Sequence, residues 1–157
     1  QMCIRDSVVA IAEFLTAEHR CCDDNFAVVE EAAQSGDATR CRDEFQQFQA
    51  AMELHFQREE QTLFPTFEQT TGNSMGPTRV MRLEHQQIRD TLAEMTDALG
   101  KNDLAEFLGQ SETLLILMQQ HNIKEEQILY PMCDRFLANN AVAVIAAMQA
   151  VPANSPP

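Results

Sequence analysis

The sequence predicts an all-α protein, an up-down-up-down four-helix bundle made from one helical hairpin used twice. Three observations carry this expectation. Breakers are scarce: 157 residues hold only 5 Gly and 6 Pro, two of the Pro at the very end. The stretches between them are rich in Ala, Leu, Met, Gln and Glu, all good helix formers. The chain also repeats itself at an offset of 66 residues.

The repeat is read directly. Residues 53–65 and 119–131 share the pattern H-x-x-x-E-E-Q-x-L-[FY]-P, with His55 and His121 at its head. Upstream, Glu18-His19 recurs as Glu84-His85 at the same offset. Two separate matches at one offset are hard to obtain by chance.

Punctuation then gives the elements in order. A first helix at about 8–34 ends at Ser35-Gly36-Asp37, and a second at about 38–64 ends at Pro65. The loop Thr71-Gly72-Asn73-Ser74-Met75-Gly76-Pro77 places Pro in the first turn of a third helix, 77–99. Gly100-Lys101-Asn102-Asp103 breaks the second half where Gly36 breaks the first, and a fourth helix follows at 103–130. Asp37 and Asn102 (or Asp103) suit the N-cap positions. Ala141 to Met148 suggests a short fifth helix within 138–150. Short connections make neighbours antiparallel. The expected domain is 8–150, with 1–7 and 151–157 unstructured.

Charge removes several function classes. A formal net charge of −13 leaves no basic patch for nucleic acid and disfavours an anionic membrane surface. The longest apolar run, residues 114–118, is far too short to span a bilayer. The five cysteines are odd in number, show no CxxC spacing and follow no signal peptide, so a reducing cytoplasm is the simplest home.

The four histidines are one to a helix. His19 lies 17 residues before Gly36 and His55 lies 19 after it; His85 and His121 stand likewise about Asn102. At 1.5 Å per residue each hairpin partner is about 25–30 Å from its turn. All four imidazoles can share one layer. Glu59 and Glu125 follow His55 and His121 by four residues, which stacks imidazole and carboxylate on one face. Imidazole and carboxylate without thiolate suit iron or manganese, with zinc less natural for six ligands. The two-fold repeat implies two ions, each taking two His, with the Glu free to bridge. A lone helical His is usually a hydrogen-bonded core or surface residue. Four in register, left unpaired in a core, would cost several kcal/mol, on the order of what each buried polar group loses.

These residues resemble the hemerythrin-like (HHE cation-binding) family over nearly the whole chain. The resemblance implies a non-haem di-iron centre, oxo- or hydroxo-bridged, with His19, His55, Glu59, His85, His121 and Glu125 as ligands and Glu59 and Glu125 as bridges. One departure matters: oxygen-carrying members have a further His one turn after the third-helix ligand, where this chain has Arg89. The site is thus similar to four-His members linked to iron–sulfur cluster repair and iron handling. A protein that binds or senses oxygen, nitric oxide or peroxide is the first expectation. A redox enzyme or an iron donor is the second, and a metal-free structural bundle the third. No protein partner is implied.

The neighbours have ordinary readings beside functional ones. Cys22 faces the way His19 does but repeats as Ile88, which favours a core residue. Tyr130 repeats as Phe64, which favours packing near a helix end. Glu60 and Glu126 either hold a ligating imidazole or sit in solvent or in an ion pair with Arg58 or Lys124, and Glu18 and Glu84 pose the same choice between imidazole and solvent. Phe14, Phe26, Phe45, Phe48, Phe56, Met52, Met95 and Met118 are expected to fill the core.

Overall fold

A computed structural model describes residues 10–153. The expected disorder of 1–7, and of 154–157, falls outside the described residues. Four long helical rods account for most of the chain, and no strand occurs among the described residues. The first rod is α1 (Ile11–Gln34). The second runs as α2 (Ala38–Arg58), a π-helical turn π1 (Glu59–Leu63) and α3 (Phe64–Thr71). The third is α4 (Pro77–Gly100). The fourth repeats the second as α5 (Leu104–Lys124), π2 (Glu125–Leu129) and α6 (Tyr130–Phe136). A 3₁₀ turn, Ala138–Asn140, then leads to the short α7 (Ala141–Gln149).

Both hairpin turns use the same chemistry at repeat-equivalent positions. Gly36 (φ 78°) and Asn102 (φ 55°) take the left-handed conformation that these two residue types tolerate best. The next residues, Asp37 and Asp103, are the N-caps, accepting from the backbone N–H of Arg40 at 3.0 Å and of Glu106 at 2.9 Å. Asp103 is therefore the cap, and Asn102 makes the turn.

The expected helix ends at 64 and 130 are corrected. Both rods continue past their Pro, to Thr71 and Phe136. A Pro inside an α-helix clashes with the carbonyl four residues back. The π turn widens the backbone just before Pro65, so that Phe64 N–H bonds back five residues to Glu59 O. Pro65 has no N–H to offer the carbonyl five residues before it, that of Glu60; Arg82 Nη1 donates to it instead at 3.3 Å. The rod finally ends at Gly72, again left-handed (φ 69°).

The apolar faces form two clusters. Near the hairpin turns, Phe26, Phe45, Phe48, Met95, Phe107 and Met118 pack together. At the other end, Ile11, Leu15, Phe64, Phe67, Met81 and Tyr130 do so with Val144 and Met148 of α7. Of the expected core residues only Phe14 is merely half-buried; it lies beneath the Arg58 guanidinium at 5.8 Å. No described helix is long and apolar enough to cross a membrane.

Candidate metal centre

Between the two apolar clusters lies one polar layer. It holds His19 from α1, His55 from α2, Glu59 from π1, His85 from α4, His121 from α5 and Glu125 from π2, every one at 3 % exposure or less. All six residues singled out in the sequence converge there. Glu125 Oε2 is 3.0 Å from His19 Nε2, while its Oε1 is 3.0 Å from His121 Nε2 and 3.7 Å from His85 Nε2. Glu59 Oε2 lies 3.1 Å from His85 Nε2 and 3.5 Å from His55 Nε2. His19 and His55 approach Nε2 to Nε2 at 3.1 Å. Each carboxylate thus reaches both hairpins.

The other ring nitrogen of each His is held by a carboxylate on a neighbouring rod. His19 Nδ1 meets Glu126 at 2.8 Å, His55 meets Glu18 at 2.8 Å, His85 meets Glu60 at 2.8 Å and His121 meets Glu84 at 3.0 Å. An Nδ1 partner fixes the ring's plane and leaves Nε2 bare as a donor toward the layer's centre. All four Glu hold an imidazole, and Glu18, Glu60 and Glu84 are ion-paired as well. The cations pair differently from the sequence expectation: Arg58 holds Glu18 and Lys124 holds Glu84. Glu60 is held by Arg89, which also grips Glu53 through two contacts at 2.9 and 3.0 Å.

Electrostatics follow from this wiring. Burial raises the Glu60 carboxyl, but hydrogen bonds from His85 and Arg89 outweigh it and hold it at about 2. Burial alone would push His55, His85 and His121 down, yet the surrounding carboxylates raise all three, His85 most clearly. Glu125 is held well below the usual carboxylate range against its own burial, first by His121 and then by His19 and His85.

Tyr130 is the residue the sequence reading misplaced. It does pack in the apolar end, but its hydroxyl enters the polar layer, donating at 2.6 Å to Glu59 Oε1 or at 2.8 Å to Glu125 Oε2, with His19 Nε2 at 3.0 Å. On an α-helix, position i+5 turns away from i. The π turn carries about one more residue per turn, so Tyr130 faces Glu125. Its repeat partner Phe64 lies against His85 instead, ring centres 5.7 Å apart. The Pro directly after the aromatic, within a helical pattern, is the signal that would have suggested the wider turn. Cys22 takes its bland reading: it is buried in the apolar cluster, its thiol pushed up to about 12 chiefly by burial.

The donor set fits metal ions. Ligands about 2.1 Å from one ion stand about 3 Å apart at right angles, and several of the spacings above are close to 3.0 Å. Two groups emerge: Glu59, His85, His121 and Glu125 each offer one atom within 4.8 Å of one another, and so do His19, His55 and Glu125. Four of the layer's atoms, Glu59 Oε2, His85 Nε2, His121 Nε2 and Glu125 Oε1, are buried without any hydrogen-bond partner. Native proteins seldom leave such atoms orphaned, and a cation is the partner their chemistry calls for.

The family model described as the Hemerythrin HHE cation binding domain matches residues 10–133. The chain belongs to this family. No curated protein and no solved structure matches it significantly. The matched residues hold the whole hemerythrin-type layer and both of its π turns. Position 89, where oxygen-carrying hemerythrins resembling this chain would place a fifth imidazole, has an arginine turned toward Glu53 and Glu60.

Proposed function

We propose that this hemerythrin-family chain is a non-haem di-iron protein that binds or senses oxygen, nitric oxide or peroxide. The observation that carries the reading is the pair of donor groups joined by one shared carboxylate, Glu125. His19 and His55 would hold one iron, His85 and His121 the other, with Glu59 and Glu125 as bridges. Iron favours this mixed nitrogen and oxygen set over zinc, with manganese the nearer competitor. A bound di-iron pair would supply redox change and open positions for a small ligand.

The chain's own residues do the rest. The four outer carboxylates keep the imidazoles aimed inward. Phe56, stacked on His85 with ring centres 4.0 Å apart, and Phe64 wall the layer from water. The Tyr130 hydroxyl brings one hydrogen-bond proton into the layer, within reach of Glu59, Glu125 and His19. A second reading, redox turnover or iron donation in cluster repair, is favoured by Arg89, since one imidazole fewer leaves more positions exchangeable.

Anaerobic iron reconstitution with metal analysis and optical spectroscopy tests the reading. Two irons per chain with oxo-bridge absorption are expected, and a chain that takes up no metal would sink it. Reversible spectral change with oxygen favours a carrier or sensor; irreversible consumption of peroxide or nitric oxide favours the second reading. Glu59→Ala removes a proposed bridge and should bind less than two irons; full retention of both would mean Glu59 does not bridge.

A further inference from the structure

A chain with 24 acidic and 11 basic residues should present carboxylates on nearly every side. The outer face of α4 and α5 is an exception. Of the eight large apolar residues exposed among the described residues, five lie there: Val80, Leu83, Ile116, Ile123 and Ile128, each 45–59 % exposed. Helical spacing lines them up. Val80, Leu83 and Gln87 stand at i, i+3 and i+7 on α4, and Ile116, Gln120 and Ile123 at i, i+4 and i+7 on α5. Gln87 and Gln120 line one cleft between the helices, with Ile88 and Leu117, so the two strips form one surface. Its exposed charged residues are Arg79 and Lys124, both cationic, while Glu84 is engaged by His121 and Lys124. Acids return only at the rim, with Asp90 and Glu112.

The repeat shows the same surface when it is covered. Shifted by 66 residues, Val80, Gln120 and Ile123 become Phe14, Leu54 and Gln57; Phe14 and Leu54 are half-buried and Gln57 is buried. In that half α7 packs on α1 and π1, and Arg58 Nε donates to Met148 O at 3.1 Å, tying the helix down. Lys124, the repeat partner of Arg58, holds no such helix among the described residues, and its side chain is 45 % exposed.

We propose that the α4–α5 face joins two copies of this chain across a two-fold axis, with Leu83 and Ile123 of each copy near the centre. At a net charge of −13, two copies repel wherever acids face acids. This face avoids that penalty. It also carries both projecting aliphatic side chains and a cleft to receive one, as a contact of a surface with itself requires. Exposed aliphatic residues with charge depleted among them are the composition of an interface core. The α5 strip is about 18 Å long at 1.5 Å per residue, and two helices make the face about 20 Å wide. That is small beside the roughly 800 Å² per partner of a standard interface, so the dimer is reversible and dissociates on dilution. No residue of the face is a proposed metal ligand, so the inference stands whatever the polar layer holds.

Sedimentation equilibrium of the full chain from about 1 μM to about 1 mM tests it, a range that brackets weak complexes. The mass should climb from 17.7 kDa toward twice that value and no further. Added salt should tighten the association, because it screens the like charge of the two copies and leaves apolar contact intact. Leu83→Glu and Ile123→Glu, both at exposed positions, should each weaken it about tenfold or more by setting a carboxylate against its own copy. Val142→Glu, on the exposed side of α7, should change nothing, and circular dichroism should be alike for all three. A chain that stays monomeric throughout, a dimer that survives both central variants, or an equal loss with Val142→Glu would overturn the proposal. So would association that salt dissolves, or assembly beyond two copies.

Discussion

At the residue scale, the site depends on carboxylates that touch no metal position directly. Glu60 is the clearest, because it joins the His85 ring to the Arg89 guanidinium and stays ionised down to about pH 2. Glu60→Gln keeps the shape and removes the charge. Metal affinity, measured by competition with a chelator, should fall 10- to 100-fold, roughly the usual cost of losing such a partner. Affinity within threefold of the unaltered chain would show that Arg89 and packing alone orient His85.

The same wiring sets opposite pH dependences for the fold and for loading. His55, His85 and His121 have folded-state values raised above their ordinary one, so their contribution to metal-free stability is full below that ordinary value, about 6.5. It is lost as pH rises through the raised values. Glu60, depressed to about 2, contributes above its ordinary range and loses that contribution as pH falls from 4.5 toward 2. Metal needs neutral imidazole, so protons compete for the site. Acidification from pH 8 to 6 should therefore strip iron while the metal-free chain's melting temperature holds or rises. Iron counts and thermal scans across that range check both signs; parallel decline of the two would contradict the histidine assignment.

At the scale of elements, the π turns and the hairpin caps do separate jobs. The π turns lie inside the site and decide which aromatic residue faces the carboxylates. The caps lie at the hairpin turns, far from it. Asp103→Ala removes the acceptor for the Glu106 N–H and should cost about 1 kcal/mol in denaturant unfolding. Iron stoichiometry should not change, and a change would mean that the α5 start is coupled to the metal layer. The helices themselves, their number and both turns were legible from breaker residues and the repeat. Their continuation past Pro65 and Pro131 was not, because Pro reads locally as a helix stop unless the preceding turn is known to be wide.

At the scale of the whole molecule, a layer of six ionisable residues sits between two apolar clusters where packing alone would favour leucine. That arrangement lowers the stability of the metal-free chain, since four orphaned atoms each cost about 1–3 kcal/mol. Metal binding should recover it: at a hundred times the dissociation constant, one site adds about 2.7 kcal/mol. For a chain of this size that corresponds to a melting temperature roughly 5–10 °C higher, at about 2–4 °C per kcal/mol. Thermal scans with and without Fe(II) measure it, and no shift would place the donors outside any metal site.

The sequence by itself determined the helices, the two-fold repeat and the six residues of the polar layer, because each depends on spacing along one rod and on equal distances from two turns. Only the tertiary structure decided the partners across rods: Glu18 with His55, Glu126 with His19, Arg89 with Glu60, and the Tyr130 hydroxyl within the layer. Spacing gives height and face on one helix. Which side chains meet between helices depends on how the rods are rotated against one another, and the π turn adds a local adjustment by bringing Tyr130 round to Glu125.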